Sequence, residues 1–326
     1  MKALLPAGGP GMVEFGDVEQ PRPLASEALV RVEAFSVNRG ETFLLEKPPD
    51  GWRPGKDIAG LVVRAAADGS GPAAGQRGVG HPPAAGWASC ACVPADSLAE
   101  LPEDVSAVTA AALPLAGLTA LRMLRMAGNV TGRRILLTGA SGGVGHYLTE
   151  LAANAGAEVT AITATAQRGS RLAELGAAAV LRSVTDADGP YDLVLESAGG
   201  DSFARSLERL APHGTLIWFG QASREPVTVN FFDLVYGGAS SATIRHFAYT
   251  GFPETYGADL AVLVRLVADG RLHPEIGRVA DWSETASVIA DLRERRIRGN
   301  AVLTLRGQCP AFRRTVNVGV KPLEAG

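Results

Sequence analysis

An apolar run that breaks into glycines and resumes as a helix, LLTGASGGVGHYL at residues 136–148, restricts this chain more than any other feature. A strand over Ile135–Leu137 has to turn through Ala140-Ser141-Gly142-Gly143-Val144-Gly145 before a helix continues from His146. Such a turn gathers backbone amides and the positive end of a helix dipole at one point, which makes a site for an anion. Gly142 lets the backbone approach a pyrophosphate, and Gly145 lets helix and strand pack closely. Ala140 stands where the dinucleotide fingerprint usually has its first glycine, so the pattern is A-x-G-x-x-G. On the turn alone, a purely structural role stays open.

The context narrows this. From Arg134, strands and helices alternate: RILLTG, GHYLTELAANAG, EVTAIT, QRGSRLAELG, AAVLRS, YDLVLESAGG, DSFARSLERLAPHG and TLIWFG. Alternation of this kind predicts βαβ units around a parallel sheet covered on both faces. Residues 1–114 read instead as short strands, among them ALVRVEAFSV, DIAGLVVRAAA and ASCACVPA, parted by loops such as EKPPDGWRPG. That is the pattern of a β barrel or sandwich. Helical spacing begins near residue 103, with Pro114 dividing the segment in two. Residues 258–270 and 283–296 read as further amphipathic helices, and GNAVLTL (299–305) as a last strand that returns to the first unit. The expected fold class is α/β, with a doubly wound parallel sheet beside an N-terminal β domain.

At 326 residues the chain fits two domains better than one. A net charge of −3 argues against nucleic acid or an anionic membrane surface as partner; a small-molecule substrate is expected. No apolar run is long enough for a membrane-spanning helix, and the opening MKALLPAGGPGM does not read as a signal peptide. Cys90, Cys92 and Cys309 read as thiols of a reduced compartment, with no disulfide framework. The expected location is the cytoplasm.

The second strand of the alternating region, EVTAIT, ends at Thr163. A site for NAD places an Asp or Glu here to accept hydrogen bonds from the adenine ribose. No carboxylate stands at Thr163, Thr165 or Gln167; Arg168 follows instead, with Arg171 beyond it. A cation without an acid suits a 2′-phosphate, which favours NADPH over NADH. The plainer role for Arg168 is that of a solvated first-turn residue.

Seven segments in order carry a family resemblance: SVNRGET (36–42), PGKDIAGLV (54–62), LPLAGLTAL (113–121), ASGGVG, LAELGAAAV (172–180), ESAGG (196–200) and GNAVL (299–303). In these the chain resembles the zinc-independent medium-chain dehydrogenases/reductases of the quinone oxidoreductase and enoyl reductase kind, over residues 1–306. The resemblance implies a GroES-like catalytic domain (1–114 and 256–306), a Rossmann NADPH-binding domain (115–255) and a C-terminal extension (307–326), with the active site in the cleft between the two domains. It implies that Asn38 and Thr119 face the nicotinamide, and that Thr138, Ser141, Gly142, Gly143 and Val144 meet phosphate and ribose near Thr163. Arg168 takes the place of a lysine for the 2′-phosphate. Ser197, Ala198 and Gly199 border the cofactor, and Phe219, Gly220, Gln221 and Ala222 close over the nicotinamide. Asn300 stands where relatives usually carry Lys. The family's habit is a homodimer formed through edge strands of the nucleotide domain, with TLIWFG and the segment after it as the place to look.

Zinc-using relatives need a Cys early in the chain and a His-Glu pair soon after; here Asn38-Arg39 and Lys56-Asp57 stand in those places. Cys90 and Cys92 lack further ligands nearby, and the five histidines are scattered, so no metal is expected. Hydride transfer to an acceptor that is already electrophilic, a quinone or an α,β-unsaturated carbonyl, needs least help without a metal. A zinc-free alcohol or carbonyl dehydrogenase is the alternative, and an NADPH-binding protein with little turnover is a third reading. Many relatives carry Tyr where this chain has Phe43, so that phenol is missing. Glu41 matches an acidic position common in the family and is a catalytic candidate beside Asn38, although orienting nearby loops is as natural a role. Phe43, Trp52, Arg245, Phe247 and Tyr249 are expected around the substrate. Tyr236, Tyr249 and Tyr256 are possible donors, each more readily explained by packing.

Overall fold

The computed structural model describes residues 1–8, 13–236 and 238–305. The region 307–326 expected as an extension, and Cys309 within it, lies outside the described residues.

The N-terminal region supplies β1 (Lys2–Pro6), β2 (Val13–Asp17), β3 (Glu27–Val37), α1 (Arg39–Leu44), β4 (Ile58–Arg64), β5 (Arg77–Gly80), β6 (Cys90–Pro94) and β7 (Leu98–Glu100). Two helices, α2 (Ala107–Ala111) and α3 (Pro114–Ala127), lead away from it, parted where proline opens the second. The alternating region follows as β8 (Arg134–Leu137), α4 (Gly143–Asn154), β9 (Glu158–Ile162), α5 (Ala166–Gly169), β10 (Ala177–Leu181), β11 (Tyr191–Glu196), α6 (Asp201–Leu207), β12 (Leu210–Trp218), α7 (Phe231–Tyr236) and β13 (Thr243–His246). The described residues close with α8 (Tyr256–Ala268), β14 (Ile276–Asp281), α9 (Thr285–Arg293) and β15 (Asn300–Thr304).

Six strands form the parallel sheet in the order β10-β9-β8-β11-β12-β13. The order reverses beside β8, the switch point outside whose carboxyl end an open α/β sheet binds ligands. The other large sheet runs β14-β15-β3-β4-β5-β7, with β6 also paired to β3. The long β3 serves as its spine: Val37 opposes Ala301 of the returning strand, and Arg31 opposes Cys90 of β6. The chain is thus an α/β protein with a Rossmann sheet beside a GroES-like one.

Several boundaries differ from expectation. QRGSRLAELG gives a single helical turn, α5, before turns take over. Gly169 packs so closely that a Cβ there would lie 2.7 Å from Thr163 Cγ2, and a glycine in mid-segment weakens the helix. The helix α6 stops at Leu207, and β12 starts at Leu210 because Leu210 already pairs with Tyr191. TLIWFG is not an edge, since β13 pairs with it; β13 is. Cys90 is disulfide-bonded, against the expectation of three thiols, while Cys92 is free and half-buried.

A buried ion pair ties α3 to α8. Arg122, 2% exposed, donates from Nε to Asp259 Oδ2 at 2.6 Å, and Asp259 is fully buried. The remaining guanidinium nitrogens donate to the carbonyls of Tyr249 and Glu254, both at 2.7 Å. Every strong donor is matched, the condition under which a buried charge is tolerable. Asp259→Ala leaves Arg122 charged and unpaired, and is expected to lower the unfolding free energy by about 3–5 kcal/mol. Urea melts would show this as a lower midpoint; a loss within the range of a surface pair, below about 1 kcal/mol, would refute it.

Candidate active site

A cavity of about 910 Å³ opens between the two sheets. Its floor is the turn after β8. Thr138 is buried and its Oγ1 accepts from Ser197 N at 2.9 Å, while Ser197 Oγ donates to the Thr138 carbonyl at 3.1 Å. These bonds join the ends of β8 and β11, so Ser141, Gly142, Gly143 and Val144 face the cavity at the start of α4. The first amides of a helix have no partner within it and point at whatever sits there. Gly145 makes the close approach expected of it, since a Cβ would lie 2.5 Å from Ala140 O. Gly143 is constrained from another side: a Cβ there would lie 2.5 Å from Asn300 Oδ1. Asn300 is held by Nδ2–H to Glu275 O at 3.2 Å, and Gly299 N donates to Ser141 O at 3.0 Å. The returning segment therefore forms one wall of the glycine turn.

At the end of β9, Thr163 is buried on the cavity wall and its hydroxyl has no hydrogen-bond partner among the described residues. Arg168 folds over the turn: its Nε donates to Ser141 Oγ at 3.2 Å, and its Nη1 donates to Arg295 O. Burial first, then repulsion from Arg295 and Arg298, pushes the Arg168 guanidinium below its ordinary value. Arg39 is pushed down likewise by burial and by Arg295, Arg168 and Arg224. Arg39, Arg168, Arg182, Arg205 and Arg295 all reach the cavity. A crowd of cations that disfavour one another favours an anion between them. Arg171, the other cation expected, pairs with Glu275 at 2.8 Å and stands off the cavity wall.

Opposite the turn, Asn38 precedes α1. Its Nδ2 donates to Asp57 Oδ2 at 2.6 Å, which fixes the carboxamide. Asp57 is fully buried and also accepts from Ser36 Oγ at 2.6 Å and Leu115 N at 2.9 Å, with His81 Nδ1 at 3.2 Å. Glu41 is buried behind Asn38, off the cavity wall. It accepts from the amides of Asn38 (3.2 Å), Gly55 (2.8 Å) and Lys56 (3.1 Å), so it stitches the α1 turn to the loop before β4. Burial and the charge of Asp57 raise its pKa to about 7.

Most of the expected residues meet here. Asn38, Phe43, Thr119, Ser197, Ala198, Phe219, Gly220, Gln221, Ala222, Phe247, Tyr249 and Asn300 line the same cavity. Gly199 lies just behind the wall at φ +75°, where a Cβ would lie 2.6 Å from Gln221 Cγ. Two expectations are corrected. Arg245 is on the exposed edge strand, and its Nη1 donates at 3.1 Å to Met126 O, one of the open carbonyls at the end of α3, where a cation is favoured. Trp52 packs on the apolar core of the first sheet rather than on the cavity. Tyr256 is off the wall as well, set edge-on to His81. Sequence reasoning missed Arg295, which sits in the charged run RERRIRG and reads as a helix surface. It adopts φ +59° past the end of α9 and donates to Ala222 O at 3.0 Å. Among the described residues, no three His, Cys, Asp or Glu side chains converge as a metal site.

A family model described as zinc-binding dehydrogenase matches residues 175–303. The chain is 34% identical over 236 residues to a chloroplast envelope quinone oxidoreductase homolog of Arabidopsis thaliana, across 64% of this chain and 71% of that one. The chain belongs to the quinone oxidoreductase-like medium-chain dehydrogenases/reductases. A quinone oxidoreductase of Pseudomonas aeruginosa is 28% identical over 91% of this chain and 96% of its own. Among solved structures, a mycobacterial protein complexed with NADPH superposes with a TM-score of 0.84 at 26% identity, covering 94% of this chain and 100% of that one. A quinone oxidoreductase of Pseudomonas syringae gives 0.81 at 26%, covering 93% and 99%.

The Glu41 pKa, raised from 4.5 to about 7, has a signed consequence. The neutral form is favoured in the folded protein, so the associated penalty is absent below pH 4.5, grows between 4.5 and 7 and is constant above. Glu41→Gln removes it. The stability of the variant relative to the parent is expected to rise by on the order of 3 kcal/mol from pH 4.5 to 7.5. Denaturant melts at a series of pH values test this, and parallel curves would refute it.

Proposed function

We propose that this chain is an NADPH-dependent oxidoreductase that passes hydride to a quinone or an α,β-unsaturated carbonyl without zinc. The observation that carries the cofactor reading is the end of β9: a buried, unpartnered Thr163 hydroxyl where an NAD site has a carboxylate, with Arg168 folded beside it. The residues present fit such a cofactor. Ser141, Gly142, Gly143 and Val144 would take the pyrophosphate, Arg168 the 2′-phosphate, and Asn38, Thr119 and the Phe219–Ala222 loop the nicotinamide end. Bound NADPH supplies a hydride. The protein's share is to orient the acceptor and exclude water, with Phe43, Phe247 and Tyr249 as the apolar wall against it. The donor set does not fit a catalytic metal, because both oxygens of Asp57 are held by donors already present.

The exposed edge β13, with Ile244 48% exposed, and the apolar face of α7, with Phe231 69% exposed, support a homodimer formed edge to edge. Light scattering is expected to give a dimer, and Ile244→Lys a monomer; a monomeric parent would sink this.

Cofactor titration by NADPH fluorescence is the direct test of the site. Arg168→Ala is expected to weaken NADPH binding by about tenfold to a hundredfold while leaving NADH binding unchanged. Equal affinity of the parent for both nucleotides would overturn the assignment. NADPH oxidation with 1,4-benzoquinone, cyclohex-2-enone and simple ketones or alcohols then separates a quinone or enone reductase from an alcohol or carbonyl dehydrogenase.

A further inference from the structure

The reaction proposed above leaves a negative charge on the acceptor that a proton has to neutralise. Asn38 is committed to Asp57, and Phe43 offers no proton. Among the described residues lining the cavity, Tyr249 is the one phenol. It is held in four ways. Its carbonyl takes a hydrogen bond from the buried Arg122. Its ring lies against His81 at 5.7 Å and Tyr256 at 6.1 Å. Its hydroxyl oxygen accepts from Lys56 Nζ at 3.3 Å. An ammonium group has donors only, so Tyr249 must be the acceptor in that contact, and its own O–H proton is left for an oxygen in the cavity.

Lys56 is also placed with care. It precedes Asp57, which holds Asn38, and its amide is fixed by Glu41. One short segment therefore sets both the carboxamide and the phenol that face the same space. We propose that Tyr249 is the proton donor to the reduced acceptor, and that Lys56 is the positioning residue that holds its hydroxyl.

The step balances. As hydride arrives at the β-carbon of an enone, the C=C pair shifts and the carbonyl pair moves onto oxygen. The Tyr249 O–H bond breaks, its proton joins that oxygen, and the bonding pair stays on the phenolate opposite the Lys56 ammonium. A proton passes from Nζ to the phenolate, and water returns one to the amine. With a quinone, the same transfer turns the hydroquinone monoanion into hydroquinone.

This inference rests on the reading of the site as an NADPH-dependent reductase, and the test separates the two. Tyr249→Phe keeps the ring against His81 and Tyr256, and is expected to lower kcat with cyclohex-2-enone by about 10²-fold, the usual share of a general acid. KM and the NADPH Kd, measured by fluorescence without acceptor, should change by less than about twofold. Lys56→Met is expected to lower kcat as well, and Lys56→Arg to restore most of it. Unaltered NADPH binding shows that each variant is folded. A Tyr249→Phe protein with parental kcat overturns the proposal alone, as does one whose NADPH affinity falls in step with kcat. A parent that fails to oxidise NADPH with either 1,4-benzoquinone or cyclohex-2-enone overturns the functional reading, and this proposal with it.

Discussion

The site depends on one buried negative charge. Asp57 has no exposed surface, and its carboxylate is met by four groups from three separate segments: Ser36 and Asn38 at the end of β3, His81 after β5, and Leu115 at the start of α3. A carboxylate at the first turn of a helix answers both its open amides and its dipole. Burying such a charge is costly unless every lone pair is used, so the three segments have little freedom to part. Their common orientation fixes where Asn38 points, and it brings the N-terminus of α3 to the cavity so that Thr119 follows one turn later.

The cations answer this on the other side of the cleft. Arg168 and Arg295 belong to different parts of the chain, yet each is bound across the cleft, through the carbonyls of Arg295 and Ala222 respectively. Neither has a carboxylate partner there among the bonds described. Arg224, by contrast, forms a two-pronged pair with Glu46 and lies over the Phe43 ring at 4.3 Å, so its charge is answered by a carboxylate. The division sorts the arginines of the cleft into those with a carboxylate partner and those with none among the described residues.

Much of this was legible in the sequence because it is local. Strand, glycine turn and helix at 135–154 follow from spacing, and the missing carboxylate at Thr163 is read directly from one strand end. What was not legible depends on contacts across long stretches of chain. Arg295 reaches the cavity because the chain bends at positive φ past α9, which a charged run does not announce. Arg245 sits in a segment flanked by aromatic residues, as a pocket residue would, but a carbonyl at the end of α3 captures it. Trp52 follows a loop whose inner side is the core. Glu41 was weighed as catalytic on position alone; its three amide partners give it an architectural part. In each case the deciding partner is distant in sequence and ordinary in type.

The bond from Gly299 N to Ser141 O joins the two sheets through backbone alone. Because the glycine turn is walled on one side by Asn300, the pocket at that turn is a shared possession of both sheets rather than a property of the Rossmann sheet. Anything bound there senses their mutual angle, so affinity and interdomain alignment are two readouts of a single free energy. Loosening the last strand would thus weaken a ligand held at the glycine turn, and a tightly held ligand would splint the chain's return to its first sheet.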